Sequence, residues 1–101
     1  MKDAVIKTEQ YDMKILELTP DLMRVSVADN QGENFNFVPR FLTVVYPDNK
    51  TITAKDAGAV VVRRKETVQV PINFSEKLRI EMFASFELRY ARRKLATISI
   101  E

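Results

Sequence analysis

Leu78-Arg79-Ile80-Glu81-Met82-Phe83-Ala84-Ser85-Phe86-Glu87-Leu88-Arg89-Tyr90 carries an apolar residue at every even position and mostly charged or polar residues between them. A helix, turning about 100° per residue, would scatter the even side chains around its axis, whereas a strand sets them on one face. The segment therefore reads as β although it is built from good helix formers. Leu78, Ile80, Met82, Phe86 and Leu88 are expected in the core. Phe83, the one large apolar residue among the odd positions, is expected to point away from it.

The same reading extends outward. Turn clusters at Thr19-Pro20-Asp21, Asp29-Asn30-Gln31-Gly32, Tyr46-Pro47-Asp48-Asn49-Lys50 and Lys55-Asp56-Ala57-Gly58 separate β-rich runs. The first run, Val5 to Leu18, alternates at Tyr11, Met13 and Ile15 and then changes phase to Leu16 and Leu18, which predicts a bulge, or a bend where the strand crosses between sheets. Leu22 to Ala28 follows and is expected to form a hairpin, through the Asp29 to Gly32 turn, with Phe35 and Phe37. Pro39 is placed at a bulge or edge, and Phe41 to Tyr46 reads as a strand buried on both faces. Short strands at Thr51 to Ala54 and Ala59 to Val62 precede Thr67 to Phe74, where Pro71 predicts an edge or bulge. Ser75-Glu76-Lys77 reads as the short loop of a hairpin into Leu78. A polar connection, Ala91 to Lys94, leads to a last strand from Leu95 to Glu101, with Ala96, Ile98 and Ile100 on one face.

These runs predict an all-β chain: a small single-domain β-sandwich spanning residues 1–101, with about seven mostly antiparallel strands. The alternative is a β-barrel, or a meander with one short helix in Ala84 to Lys94 or around Lys55 to Val61. The architecture resembles that of immunoglobulin-like modules. The Cys pair and core Trp that mark true immunoglobulin domains are absent, and the resemblance carries no function with it. At 101 residues, with 46% hydrophobic and 30% charged side chains, the chain can bury its own core.

Its composition narrows the chemistry. The chain contains no histidine and no cysteine, the side chains most used for acid-base work near neutral pH, thiolate chemistry and transition-metal binding. No nucleophile elbow, phosphate loop or glycine-rich nucleotide fingerprint occurs. Asp29-Asn30-Gln31-Gly32-Glu33 has the oxygen ligands of a calcium loop around a glycine, but the twelfth position is Arg40 where a Glu is required. No catalytic residue, cofactor, metal or small-molecule substrate is therefore expected.

The cations are unevenly distributed. Residues 1–60 hold seven Lys or Arg against nine Asp or Glu, and residues 61–101 hold nine against five. Arg63-Arg64-Lys65 and Arg92-Arg93-Lys94, with Arg89 nearby, form two clusters in expected connections. Such clusters meet phosphates, anionic lipid or acidic protein surfaces, or else protect loops and strand edges from unwanted pairing. An aromatic ringed by charges, such as Phe83, is also what a contact hot spot looks like.

The sequence thus predicts a non-enzymatic interaction module, most simply a protein-binding or self-associating one. Its size and style suggest an accessory domain of a bacterial surface, phage or mobile-element system. The alternative is a nucleic-acid-binding small β-barrel using Arg63, Arg64, Lys65, Arg89, Arg92, Arg93 and Lys94. That alternative requires the two basic runs to lie together in the fold. The longest apolar run, Ala59 to Val62, is far too short to span a bilayer. The first residues lack the apolar region of a secretory signal, so a cytoplasmic setting is expected as written, and an extracellular one if the chain has been trimmed.

Overall fold

The computed structural model describes residues 5–55 and 57–99. Ten strands form: β1 (Val5–Lys7), β2 (Tyr11–Leu18), β3 (Met23–Asp29), β4 (Phe35–Phe37), β5 (Leu42–Val45), β6 (Thr51–Thr53), β7 (Val60–Val62), β8 (Thr67–Ile72), β9 (Ser85–Tyr90) and β10 (Arg93–Ser99). A single 3-10 turn, Pro39–Phe41, is the one helical feature among the described residues. Ten strands form where about seven were expected, because each short β-rich run keeps a strand of its own and the first run breaks into β1 and β2. Thr8 Oγ1 accepts the Gln10 and Tyr11 amides at 3.2 and 3.1 Å and closes the turn between them.

The strands make three antiparallel sheets. One has the order β1-β2-β3-β8, another β10-β9-β5-β6, and β4 pairs with β7. The second strand lies beside the third, whereas an immunoglobulin constant-type sheet places it beside the fifth. The two larger sheets bury one shared core, with Met13, Ile15, Val25, Val27, Phe37, Leu42, Val44 and Leu88 fully excluded from solvent. The Cα radius of gyration, 12.9 Å, matches the value of about 13 Å for a folded domain of this length.

Much of this agrees with the periodicity. The ladder of β2 on β3 shifts register between Ile15 and Glu17, where the apolar phase changes in the sequence, but β2 stays beside β3 through Leu18 and does not cross to another sheet. Pro71 lies on β8, at the edge of its sheet, where no ladder partner needs its missing N–H. Asn49, at φ 70°, turns β5 back into β6, with Asp48 Oδ1 accepting the Lys50 amide at 3.0 Å. Gly32, at φ 76°, closes the loop after β3, and Asp29 carboxylate oxygens accept the amides of Gln31, Gly32 and Glu33.

Several pairings differ from expectation. The expected hairpin of Leu22 to Ala28 with Phe35 and Phe37 does not form. β3 is already flanked by β2 and β8, so β4 has no edge to join and pairs with β7 instead. Phe41 to Tyr46 is not buried on both faces, because Leu42 and Val44 point inward while Thr43 and Val45 are half-covered. Nor is Ser75-Glu76-Lys77 a hairpin loop. Residues 73–84 form the connection that carries the chain from the edge of one sheet, β8, to the interior of the other, β9. The alternation of Leu78 to Tyr90 is therefore a strand only from Ser85 onward.

Leu78 is still buried, its amide bonded to Pro20 O at 2.7 Å, and Ile80 is half-buried, but Met82 is 70% exposed. The connection from Ala91 to Lys94 shrinks to Ala91 and Arg92, both at positive φ (50° and 71°), as a tight hairpin requires. Arg93 and Lys94 belong to β10. Ile98 is buried and Ala96 half-buried, while Ile100 lies outside the described residues.

Candidate interaction site

The two large sheets are joined along one side and open along the other. On the joined side Ala54 and Phe74 form an isolated bridge, with Lys55 N–H on Asn73 O at 2.7 Å and Ser75 N–H on Thr53 O at 2.9 Å. The edge of β6 is thus sewn to the chain leaving β8, and the sandwich curls toward a barrel. On the opposite side β1 and β10 are the terminal strands of their sheets, and neither has a second neighbour among the described residues. A groove of about 470 Å³ lies at this open seam, between the β1–β2 turn and the start of β10.

Its floor is aromatic and tightly held. Tyr11 is buried, stacks on Phe35 at 5.4 Å and meets Tyr90 edge-on at 6.0 Å. Tyr90 stacks on Phe37 at 5.3 Å, and its hydroxyl accepts the Val38 amide at 2.9 Å. Burial raises the Tyr11 phenol well above its ordinary pKa, with Tyr90 adding to the effect. Burial also raises Tyr90, against the opposing hydrogen bond from Val38. Both rings are therefore neutral near pH 7 and present a polar but uncharged surface.

These shifts make a prediction. A phenol whose folded-state pKa lies above its unfolded value stabilises the fold below the unfolded pKa of about 10 and loses that contribution as pH climbs toward the folded value. The denaturant midpoint should fall above pH about 10, and Tyr11→Phe should reduce the slope. An unchanged slope in that variant would mean that Tyr11 is not the group responsible.

The rim is charged. Lys7, Glu9, Arg93 and Lys94 line the groove and are exposed. Arg92 sits in the hairpin turn beside it. Arg89 is committed elsewhere: its Nε donates to Glu87 Oε2, and Lys94 Nζ stands 3.8 Å from Glu87 Oε1. The Arg89 hydrogen bond is the main reason that the Glu87 carboxyl lies below its ordinary pKa, with both cations adding to it against burial.

Arg63, Arg64 and Lys65 are exposed in the β7–β8 turn, where Lys65 has φ 64° and Asn34 Oδ1 accepts the Arg64 amide at 2.7 Å. Arg63 and Arg64 share a shallow depression with Gly32, Glu33 and Asn34. The neighbouring Gln31 donates to Glu9 O, at the wall of the seam groove. The fold thus brings both basic runs to the same end of the molecule, with Glu9 and Glu33 between them.

Phe83 is elsewhere, and it stays partly exposed as expected but does not point away from the core. Its ring stacks on Tyr46 at 5.2 Å and packs against the core, half-buried. Arg79 closes over the same tyrosine, its guanidinium 6.0 Å from the ring and its amide donating to Tyr46 Oη at 2.8 Å. Parity placed Phe83 outward only if the strand continued through residue 83, and it does not. Phe83→Glu should accordingly cost about 1–3 kcal/mol in denaturant melts rather than leave folding intact. An unchanged midpoint would return Phe83 to the surface.

Tyr11, Tyr90 and Lys7 were not legible as site residues. The two tyrosines read as core, which they partly are, and only the closure of one sheet side makes the other a groove. No family model, no curated protein and no solved structure matches this chain. No group of metal-ligating side chains occurs among the described residues, and no helix there is long and apolar enough to cross a membrane.

Proposed function

We propose that this domain is a non-enzymatic interaction module that binds a protein at the open seam. The observation that carries the reading is the pair of strand edges, β1 and β10, that have no second neighbour among the described residues and flank one groove with a rigid aromatic floor. An exposed edge displays backbone donors and acceptors that a partner chain can complete, and a stiff floor lowers the ordering cost of binding. A photo-crosslinking residue placed at Lys94 should capture a protein partner, while one at Thr51, on β6 away from the seam, should not. Equal capture at both positions, or capture of nucleic acid alone, would defeat the reading.

Nucleic-acid binding is the second reading, favoured by the meeting of both basic runs at one end. Three features set it behind the first. Glu9 and Glu33 lie between the runs, Arg89 is engaged by Glu87, and Tyr11 and Tyr90 are packed into the floor instead of offering free faces to bases. Binding of single-stranded DNA is expected to be weak and to vanish near physiological salt, because its attraction would be almost wholly electrostatic. Tight binding there, lost on Arg92→Ala with Arg93→Ala, would reverse the order of the two readings.

A further inference from the structure

We infer that the seam takes an extended acidic segment of a partner protein, added as a further strand along the free edge of β10. This rests on the protein-binding reading and goes beyond it by naming the occupant. The tight hairpin makes Tyr90 and Arg93 a mutually hydrogen-bonded pair, so the next pair, Arg89 with Lys94, turns its backbone groups outward. The register shift between Lys94 and Ala96 inserts Leu95, and beyond it the alternation again turns the Thr97 N–H away from β9. The free edge therefore offers backbone groups at Lys94 and Thr97 for a new ladder.

Charge selects what would pair there. Lys7, Arg93 and Lys94 line the groove against one carboxylate, Glu9, and Arg92 stands at its lip. Glu87 partly compensates Lys94, which leaves Lys7 and Arg93 on facing walls of the seam. A strand whose alternate side chains are acidic would meet cations on both walls while its backbone completes β10. A second copy of this chain is the poorer fit, since its β10 carries Arg93 and Lys94 and no carboxylate with which to meet the cations of the seam.

The test uses the whole chain and a capped Glu-Thr repeat peptide long enough to span a strand, with Gln-Thr and Lys-Thr repeats and an oligo-dT strand as further probes. Binding is followed by anisotropy and by amide hydrogen exchange. The Glu-Thr peptide should bind and protect the Lys94 and Thr97 amides. Arg93→Glu with Lys94→Glu should weaken it at least about tenfold, as loss of the charge pairing requires. Thr97→Pro removes an outward N–H and no β9 bond, so it should also weaken binding, with an unchanged melting curve verifying the fold.

Equal binding of the Gln-Thr or Lys-Thr peptide would overturn the acidic occupant and leave the protein-binding reading standing. Oligo-dT that binds more tightly and displaces the peptide would overturn both. A dimer in sedimentation that dissociates in Thr97→Pro would assign the edge to a second copy and overturn the proposal. So would binding by none of the probes, or peptide binding indifferent to both variants.

Discussion

Phe37→Ala is expected to destabilise the domain by about 3–5 kcal/mol, a large share of what a small domain has. Phe37 is fully buried on β4, stacks on Tyr90 at 5.3 Å and meets Tyr11 edge-on at 6.1 Å. β4 is only three residues long and pairs with another three-residue strand, β7, so the ladder alone holds it weakly. The ring therefore fastens the small sheet to both large ones, since Tyr11 belongs to one and Tyr90 to the other. Truncation opens a cavity between them and removes the support of the seam floor. A thermal midpoint lowered by about 15 °C or more is the expected reading for a domain of this size. A loss under about 1 kcal/mol would mean that the small sheet is held by something other than this aromatic cluster.

The second large effect is a contrast within one periodic pattern. Leu88→Ala should cost about 2–5 kcal/mol, whereas Met82→Ala should stay within about 0.5 kcal/mol. Both residues occupy even positions of the same alternating segment. Leu88 lies fully buried on β9, between β10 and β5, and Met82 is 70% exposed in the connection that precedes it. Denaturant melts of the two variants, with m-values compared to verify that unfolding exposes similar surface, would measure the contrast. Comparable losses would restore a continuous strand through residue 82 and bury Met82 with Leu88.

The contrast explains how much of the fold could be read in advance. Period-2 alternation reports that side chains at i and i+2 share a face, and it identified β2, β3, β8 and the second half of the Leu78 to Tyr90 stretch. Leu78 is buried and Ile80 half-buried, but they lie on the connection between β8 and β9 and not on a ladder. Apolar residues in a crossing segment bury themselves as readily as those in a strand, so composition alone cannot separate the two. Pro71 at an edge and the bulge at Leu16 followed from local chemistry, because a missing N–H and a change of phase have the same consequence in any sheet.

Strand pairing was less legible. Asp29 to Gly32 makes a turn through its own hydrogen bonds whether or not the flanking strands pair. β4 left β3 only because β2 and β8 already occupied both of that strand's edges. The basic residues were all visible in the sequence, yet their meeting at one end depends on which strand ends the sheets bring together. Phe83 illustrates the limit at a single residue, its side chain turned toward Tyr46 because the strand begins only two residues later, at Ser85.

The sequence by itself determined the all-β class, most of the buried faces, the turn chemistry and the absence of His and Cys chemistry, because each depends on residues a few positions apart. Only the tertiary structure decided which strand edges are joined and which are left open. The Ala54 to Phe74 bridge, and the strand order that puts β1 and β10 at the sheet margins among the described residues, come from contacts between residues distant in the chain, whose backbone groups carry no side-chain signal of their partners.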